Sequence, residues 1–256
     1  MKIKPLFCTL AALAFLSAAF AQSVKIAPKK VAYIHKGKNI PKEKRTFTVT
    51  YPVVSGTISS AVKKNLENTI SYWRVFETTL TENSDDYSLD EFSYKINYNK
   101  NGILDIALTR EGVGAYPYSE TVDLIVDLKI GKQVKITDVI KPDALATLAK
   151  MVDKKLLEEK RKITRRVDEG KFDDMANDKE AAAGIRADLK EQLNELRFTE
   201  NNFDEFSVND KGITFLYDAG FAHVYQAAQP VGRYFFAWAK LKPFIRRGSL
   251  LGRFIR

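Results

Sequence analysis

Two alternating runs of apolar and polar residues meet at Asn101-Gly102, and no other part of the chain restricts its fold as much. Phe92, Tyr94, Ile96 and Tyr98 alternate on the way in, and Ile103 to Thr109 leads away. A period of two belongs to a half-buried strand, and Asn-Gly tolerates the positive φ of a tight turn. The pair therefore reads as a β-hairpin. Ser119 to Leu128 repeats the alternation with Val122, Leu124 and Val126, and Thr46 to Tyr51 does so earlier. A second hairpin is predicted around Asn209-Asp210-Lys211-Gly212, and Val231 to Ala239 reads as a last, aromatic strand. Between these, Ile58, Val62, Leu66, Ile70 and Trp73 recur at three- and four-residue steps, which predicts a helix over 57–76. Leu145, Leu148, Val152 and Leu156 predict another after Pro142, and Ile185, Leu189 and Leu193 a third over 179–196. The charged stretch 158–178 reads either as helix continuation or as a loop around Gly170. Runs of strands separated by helices, rather than strict βαβ alternation, imply an α+β fold. We expect antiparallel sheets packed against helices in two successive subdomains, 46–140 and 141–245.

The two ends differ from this body. Lys2 and Lys4 precede an apolar run, Leu6 to Leu16, that is too short to span a bilayer core of ~30 Å. Ala19-Phe20-Ala21 supplies the small residues of a cleavage site, so residues 1–21 read as a signal peptide cut between Ala21 and Gln22. A periplasmic or secreted location follows. The single cysteine, Cys8, lies in that segment, which leaves the remaining chain without thiolate chemistry or disulfides. Net charge is +9, and it is concentrated at the ends. Residues 22–45 carry eight Lys and Arg side chains against Glu43 alone, and with Pro28, Gly37 and Pro41 they read as a basic flexible arm. Residues 233–256 carry seven more and no acid, while the stretch between is net acidic. Such ends suit anionic envelope polymers or lipid headgroups rather than nucleic acid, and equally suit solvated flanks. Lys29, Lys30, Arg246, Arg247 and Arg253 are the candidate contacts to an anionic surface. In the tail, 246–256, apolar residues interleave with arginines, a pattern fit either for a membrane surface or for packing back onto the domain.

Catalytic signatures are sparse. The two histidines, His35 and His223, are far apart in sequence, and no Gly-x-Ser-x-Gly elbow is present. His223 could act as a base oriented by Asp218, but its neighbours Phe221, Val224 and Tyr225 favour a packed or loop histidine. Asp85-Asp86 and Asp173-Asp174 lack the ligand alternation of a calcium loop. No metal, no cofactor and no enzymatic activity are expected. Tyr116 and Tyr118 flank Pro117 in a glycine-containing loop, where exposed aromatics can stack on a sugar or anchor a protein. With His223 and Tyr225 they form the candidate ligand-binding set. The aromatics of the last strand are expected in the core.

Three segments together resemble a known tandem of extracellular domains. They are Tyr51-Pro52-Val53-Val54-Ser55-Gly56 before a helix holding Asn65 and Ile70, then Gly114-Ala115-Tyr116-Pro117 with Val126 to Lys132 and Ile136 to Val139, and finally Phe198 to Phe244. The tandem resembles the ectodomain of RsiV-type anti-sigma factors and the domains beside the catalytic part of PdaC-type peptidoglycan deacetylases. Tyr116 stands where that pattern has histidine, and the sigma-binding, transmembrane and deacetylase parts have no counterpart. The resemblance implies an exported sensing or binding module of the bacterial cell envelope. Its expected ligand is peptidoglycan or another anionic glycan. The alternative is a lysozyme-like protein, since the RsiV-type ectodomain binds lysozyme, and an envelope hydrolase is a distant third.

Overall fold

The computed structural model describes residues 23–255, apart from 38–39, 57, 81–87 and 114–115. The signal segment with its cleavage site, Asp85-Asp86 and Gly114-Ala115 lie outside the described residues. The fold is α+β, and the chain forms two compact units, one ending at Val134 and one beginning at Lys135.

The first unit is a six-stranded sheet in the order β1 (Lys25–Ile34), β2 (Thr46–Ser55), β3 (Leu89–Lys100), β4 (Ile103–Val113), β5 (Pro117–Asp127) and β6 (Lys132–Gln133). The expected hairpin joins β3 to β4, with φ of 54° at Asn101 and 69° at Gly102. Phe92, Leu104, Ile106, Leu108, Leu124 and Val126 project from one face of the sheet. They form a core with Leu66 and Ile70 of the helix α1 (Ser60–Thr69) region and with Tyr72 and Phe76 of α2 (Tyr72–Phe76).

Three details differ from the sequence reading. First, β2 and β3 are parallel, with Val49 beside Phe92, so this sheet is mixed rather than antiparallel. The helices between the two strands return the chain to the same end of the sheet, as a parallel pair requires. Second, the single helix expected over 57–76 is broken at Ser71, whose hydroxyl donates to the Asn68 carbonyl at 2.7 Å. The break leaves Trp73 52% exposed. Third, residues 25–34 are not an arm but a ten-residue strand, paired antiparallel with β2 along its whole length. Val24 is buried, and Ile26 and Tyr33 pack against the core. Pro28 faces Pro52 in the register and is tolerated because β1 is an edge strand. Its exposed lysines discourage a further strand from pairing there.

Gly131 fixes how α1 meets the sheet. At φ +71° it lets the β5–β6 turn approach so closely that an added Cβ would lie 2.5 Å from the Val62 carbonyl oxygen. Asn65 donates to the Ile130 carbonyl (3.0 Å) and Thr69 to that of Gly131 (2.9 Å), which satisfies the turn's acceptors from the helix side.

The second unit has the helices α3 (Ile136–Val139), α4 (Leu145–Asp168) and α5 (Lys179–Glu195), then the antiparallel sheet β7 (Phe206–Asn209), β8 (Gly212–Leu216), β9 (Arg233–Ala237), then α6 (Trp238–Leu241). The charged stretch after residue 157 is helix as far as Asp168. Ile163 and Val167 of α4 pack with Leu189 and Leu193 of α5, Phe172 and Phe221. Phe206, Val208, Ile213, Phe215, Tyr234 and Phe236 are buried, but Phe235, expected in the core with the other aromatics of the last strand, is 42% exposed, because successive residues of β9 point to opposite faces of the sheet. The tail packs back onto its own unit. Leu251 is fully buried, and Phe254 stacks on Trp238 with ring centroids 4.5 Å apart. No helix among the described residues is long and apolar enough to cross a membrane.

Candidate functional site

A groove of about 680 Å³ opens beside α4 in the second unit. One wall is a helical stripe, because Asp153, Leu157, Arg161, Arg165 and Asp168 follow one another at steps of four or three. The other wall, Asn194, Leu196 and Arg197, is the chain leaving the C-terminus of α5.

Lys160 is the unusual residue. It continues the buried stripe of α4 formed by Leu156, Ile163 and Val167, and it is only 7% exposed. The last turn of a helix leaves carbonyls without intrahelical donors and carries the negative end of the helix dipole. The Lys160 ammonium answers this by donating to the carbonyls of Leu196 (2.9 Å) and Asn194 (3.3 Å). Arg197 Nη1 donates to the same two oxygens at 2.7 and 2.5 Å. Two cations thus converge on one pair of neutral acceptors. No carboxylate lies within ion-pairing distance of Lys160 among the described residues. Burial first, and then the charge of Arg197, push the Lys160 pKa below the ordinary lysine value, while Asp153 partly offsets them.

The carboxylates of the groove are already engaged. Asp153 accepts the backbone N–H of Phe198 at 2.8 Å, and Asp168 pairs with Lys190. Arg161 and Arg165 are exposed and make no ion pair among the described residues. The groove therefore presents four cationic side chains whose planar forks and ammonium donors suit carboxylate or phosphate oxygens. Leu157, 41% exposed, adds an apolar surface between them. Among the described residues no group of three His, Asp, Glu or Cys side chains is placed to hold a metal ion.

The candidates read from sequence fall in other places. Tyr116 is 62% exposed just before β5, whereas the Tyr118 hydroxyl lies over Gly112, its partner across the β4–β5 ladder. Both belong to the first unit. His223 and Tyr225 belong to the second, in a short 3-10 turn, His223–Ala228. His223 is exposed there rather than packed. The Asp218 carboxylate accepts from Gly220 N–H and from the Gln229 amide, each at 2.9 Å. Tyr225 donates to Asp188 at 3.1 Å. His35 is buried against Phe47, with Nε2 3.0 Å from the Leu89 carbonyl oxygen. Lys29 and Lys30 are exposed on β1. Arg246 and Arg247 are exposed and Arg253 is half-buried. Arg246 and Arg253 each donate through Nε to a backbone carbonyl, of Ile140 and Leu250 respectively.

Comparison with solved structures identifies a fold likeness along nearly the whole chain. A member of the DUF3298 family from Bacteroides fragilis superposes with a TM-score of 0.58 at 12% identity, over 92% of this chain and 98% of that one. A DUF3298 family protein from Pseudomonas aeruginosa PAO1 aligns over 88% of this chain and 95% of its own, at 11% identity and a TM-score of 0.47. The Bacteroides protein shows the fold that this chain shares. No family model matches the sequence, and no curated protein matches it.

Proposed function

We propose that this protein is an exported, non-enzymatic binding protein of the bacterial cell envelope that recognises peptidoglycan or another anionic glycan. The groove beside α4 receives the anionic group. One observation carries this reading: Lys160 is a buried ammonium lining an open groove without a carboxylate partner. An unpaired buried charge is costly, and a ligand that supplies the missing anion recovers part of that cost on binding. Arg161, Arg165 and Arg197 extend the contact, and Leu157 offers an apolar surface to a sugar ring. The resemblance to RsiV-type and PdaC-type ectodomains, both built for the envelope, supports the location and the absence of chemistry.

The test is co-sedimentation of the purified protein with peptidoglycan across a salt series. Pelleting that weakens with salt and drops about tenfold or more in an Arg161→Ala/Arg165→Ala variant is expected, since each charge-assisted hydrogen bond contributes roughly 1.5–3 kcal/mol. Binding to a lysozyme with no affinity for peptidoglycan would replace this reading with protein recognition. Release of soluble fragments from peptidoglycan would replace it with hydrolysis.

A further inference from the structure

A second cavity, of about 480 Å³, lies within the first unit against β2, β3 and the α1–α2 corner. Its volume is that of a small-ligand pocket. The break at Ser71 creates it: Ile70 and Tyr72 turn inward on either side of the break while Trp73 stays at the rim. Tyr51 and Val53 of β2 and Phe92 of β3 complete the apolar wall. We propose that this cavity binds an organic cation with an apolar body, an alkyl- or arylammonium.

The lining decides the class of ligand. Of the four aromatic residues at the cavity, Tyr72 and Phe92 are buried, so Tyr51 and Trp73 carry the accessible aromatic surface, and aromatic faces attract cations through their quadrupole, tryptophan most strongly. Glu67 is the one charged side chain among the described lining residues, and it is acidic. Its partner on the helix, Lys63, stands 3.7 Å away with both side chains over 40% exposed. Such a loose surface pair contributes ~0–1 kcal/mol and leaves the carboxylate available. An anion meets the Glu67 carboxylate, and no Lys or Arg side chain is among the described lining residues. A sugar finds few hydrogen-bonding groups, because the Tyr51 hydroxyl is already engaged with that of Tyr33 at 2.6 Å. A neutral hydrocarbon fits the wall but gains nothing from Glu67.

The experiment uses benzyltrimethylammonium and its uncharged carbon isostere, neopentylbenzene. The chain has two tryptophans, and Trp238 is buried against Phe254 in the second unit. Trp73 therefore reports on the cavity, and a Trp73→Phe variant identifies its signal. We expect saturable fluorescence quenching by the cation, about tenfold weaker binding of the isostere, and about tenfold loss for the cation alone in Glu67→Gln. Glu67 and Trp73 are both exposed, so neither change threatens the core. Calorimetry on Trp73→Ala, which loses the strongest ring, should show weakened binding. The proposal is overturned if no saturation occurs up to the solubility limit, or if the isostere binds as tightly. Unchanged affinity in Trp73→Ala overturns it as well. All outcomes are independent of peptidoglycan binding.

Discussion

Lys160 occupies a position that packing would give to an apolar residue, and its replacement separates stability from binding. In Lys160→Met a side chain of similar reach loses its charge, while Arg197 still donates to the carbonyls of Asn194 and Leu196. Exchanging a buried charge for a packed apolar group is often neutral or stabilising. The expected result is an unchanged or raised Tm together with at least about tenfold weaker peptidoglycan pelleting, the loss of one charge-assisted contact. A lowered Tm with intact binding would make Lys160 a helix cap and nothing more. Tyr234 gives the opposite kind of residue. It is held neutral by burial and by donating to Glu159 at 2.9 Å, and both push its pKa above the usual tyrosine value. The unfolded chain ionises this phenol near pH ~10 and the native one does so later, so stability should fall as pH rises above about 10. Tyr234→Phe should lose about 1–3 kcal/mol at neutral pH, since the Glu159 carboxylate loses a donor. Its Tm should converge on that of the unchanged protein in alkali. The Lys160 anomaly is legible in sequence as a lysine interrupting the stripe Leu148, Val152, Leu156, Ile163 and Val167. Arg197 and Asn194 are not, because only the fold brings the end of α5 to that side of α4.

At the scale of elements, patterns that repeat were legible and those that depend on a neighbour were not. The β3–β4 hairpin follows from alternation around Asn101-Gly102, and α5 from its apolar spacing. β1 escaped because its composition is that of a loop; only pairing with β2 makes Pro28 and a row of lysines acceptable in a strand. The break before α2 escaped for a similar reason. The apolar spacing of Ile70 and Trp73 is helical, but the Ser71 hydroxyl satisfies the Asn68 carbonyl and ends the first helix. Gly131 joins two elements that the sequence presents far apart, and its replacement tests that junction. Gly131→Ala forces a side chain into positive φ and into the backbone of α1. We expect a loss of roughly 1–3 kcal/mol in the first unit, read from the urea midpoint. Asn65→Ala, which removes only the hydrogen bond to Ile130, should lose about 1 kcal/mol.

The whole chain is built from two units that each close on themselves. In the second, the first residues bond the last: Lys141 N–H donates to Phe244 (2.8 Å), Arg246 N–H to Val139 (2.9 Å), and Ile140 bridges Ile245. Burial of Leu251 and the Trp238–Phe254 stack tie in the remaining tail. The first unit holds its N-terminal strand equally firmly, through β1–β2 pairing and through Asn99, whose side chain exchanges hydrogen bonds with Val24 N–H (3.1 Å) and carbonyl (2.6 Å). The first unit carries exposed lysines on β1, and the second carries exposed arginines near the tail. A chain whose units each hold a core of their own should divide between Val134 and Lys135 without losing either fold. Fragments 23–134 and 135–256 are expected to express in soluble form and to unfold cooperatively, measured by circular dichroism. Peptidoglycan binding should remain with the second fragment and benzyltrimethylammonium binding with the first. Loss of cooperative unfolding in a separated fragment would show that it needs the other to fold. Peptidoglycan pelleting by the first fragment alone would move the glycan site from Lys160 toward Tyr116 and the lysines of β1.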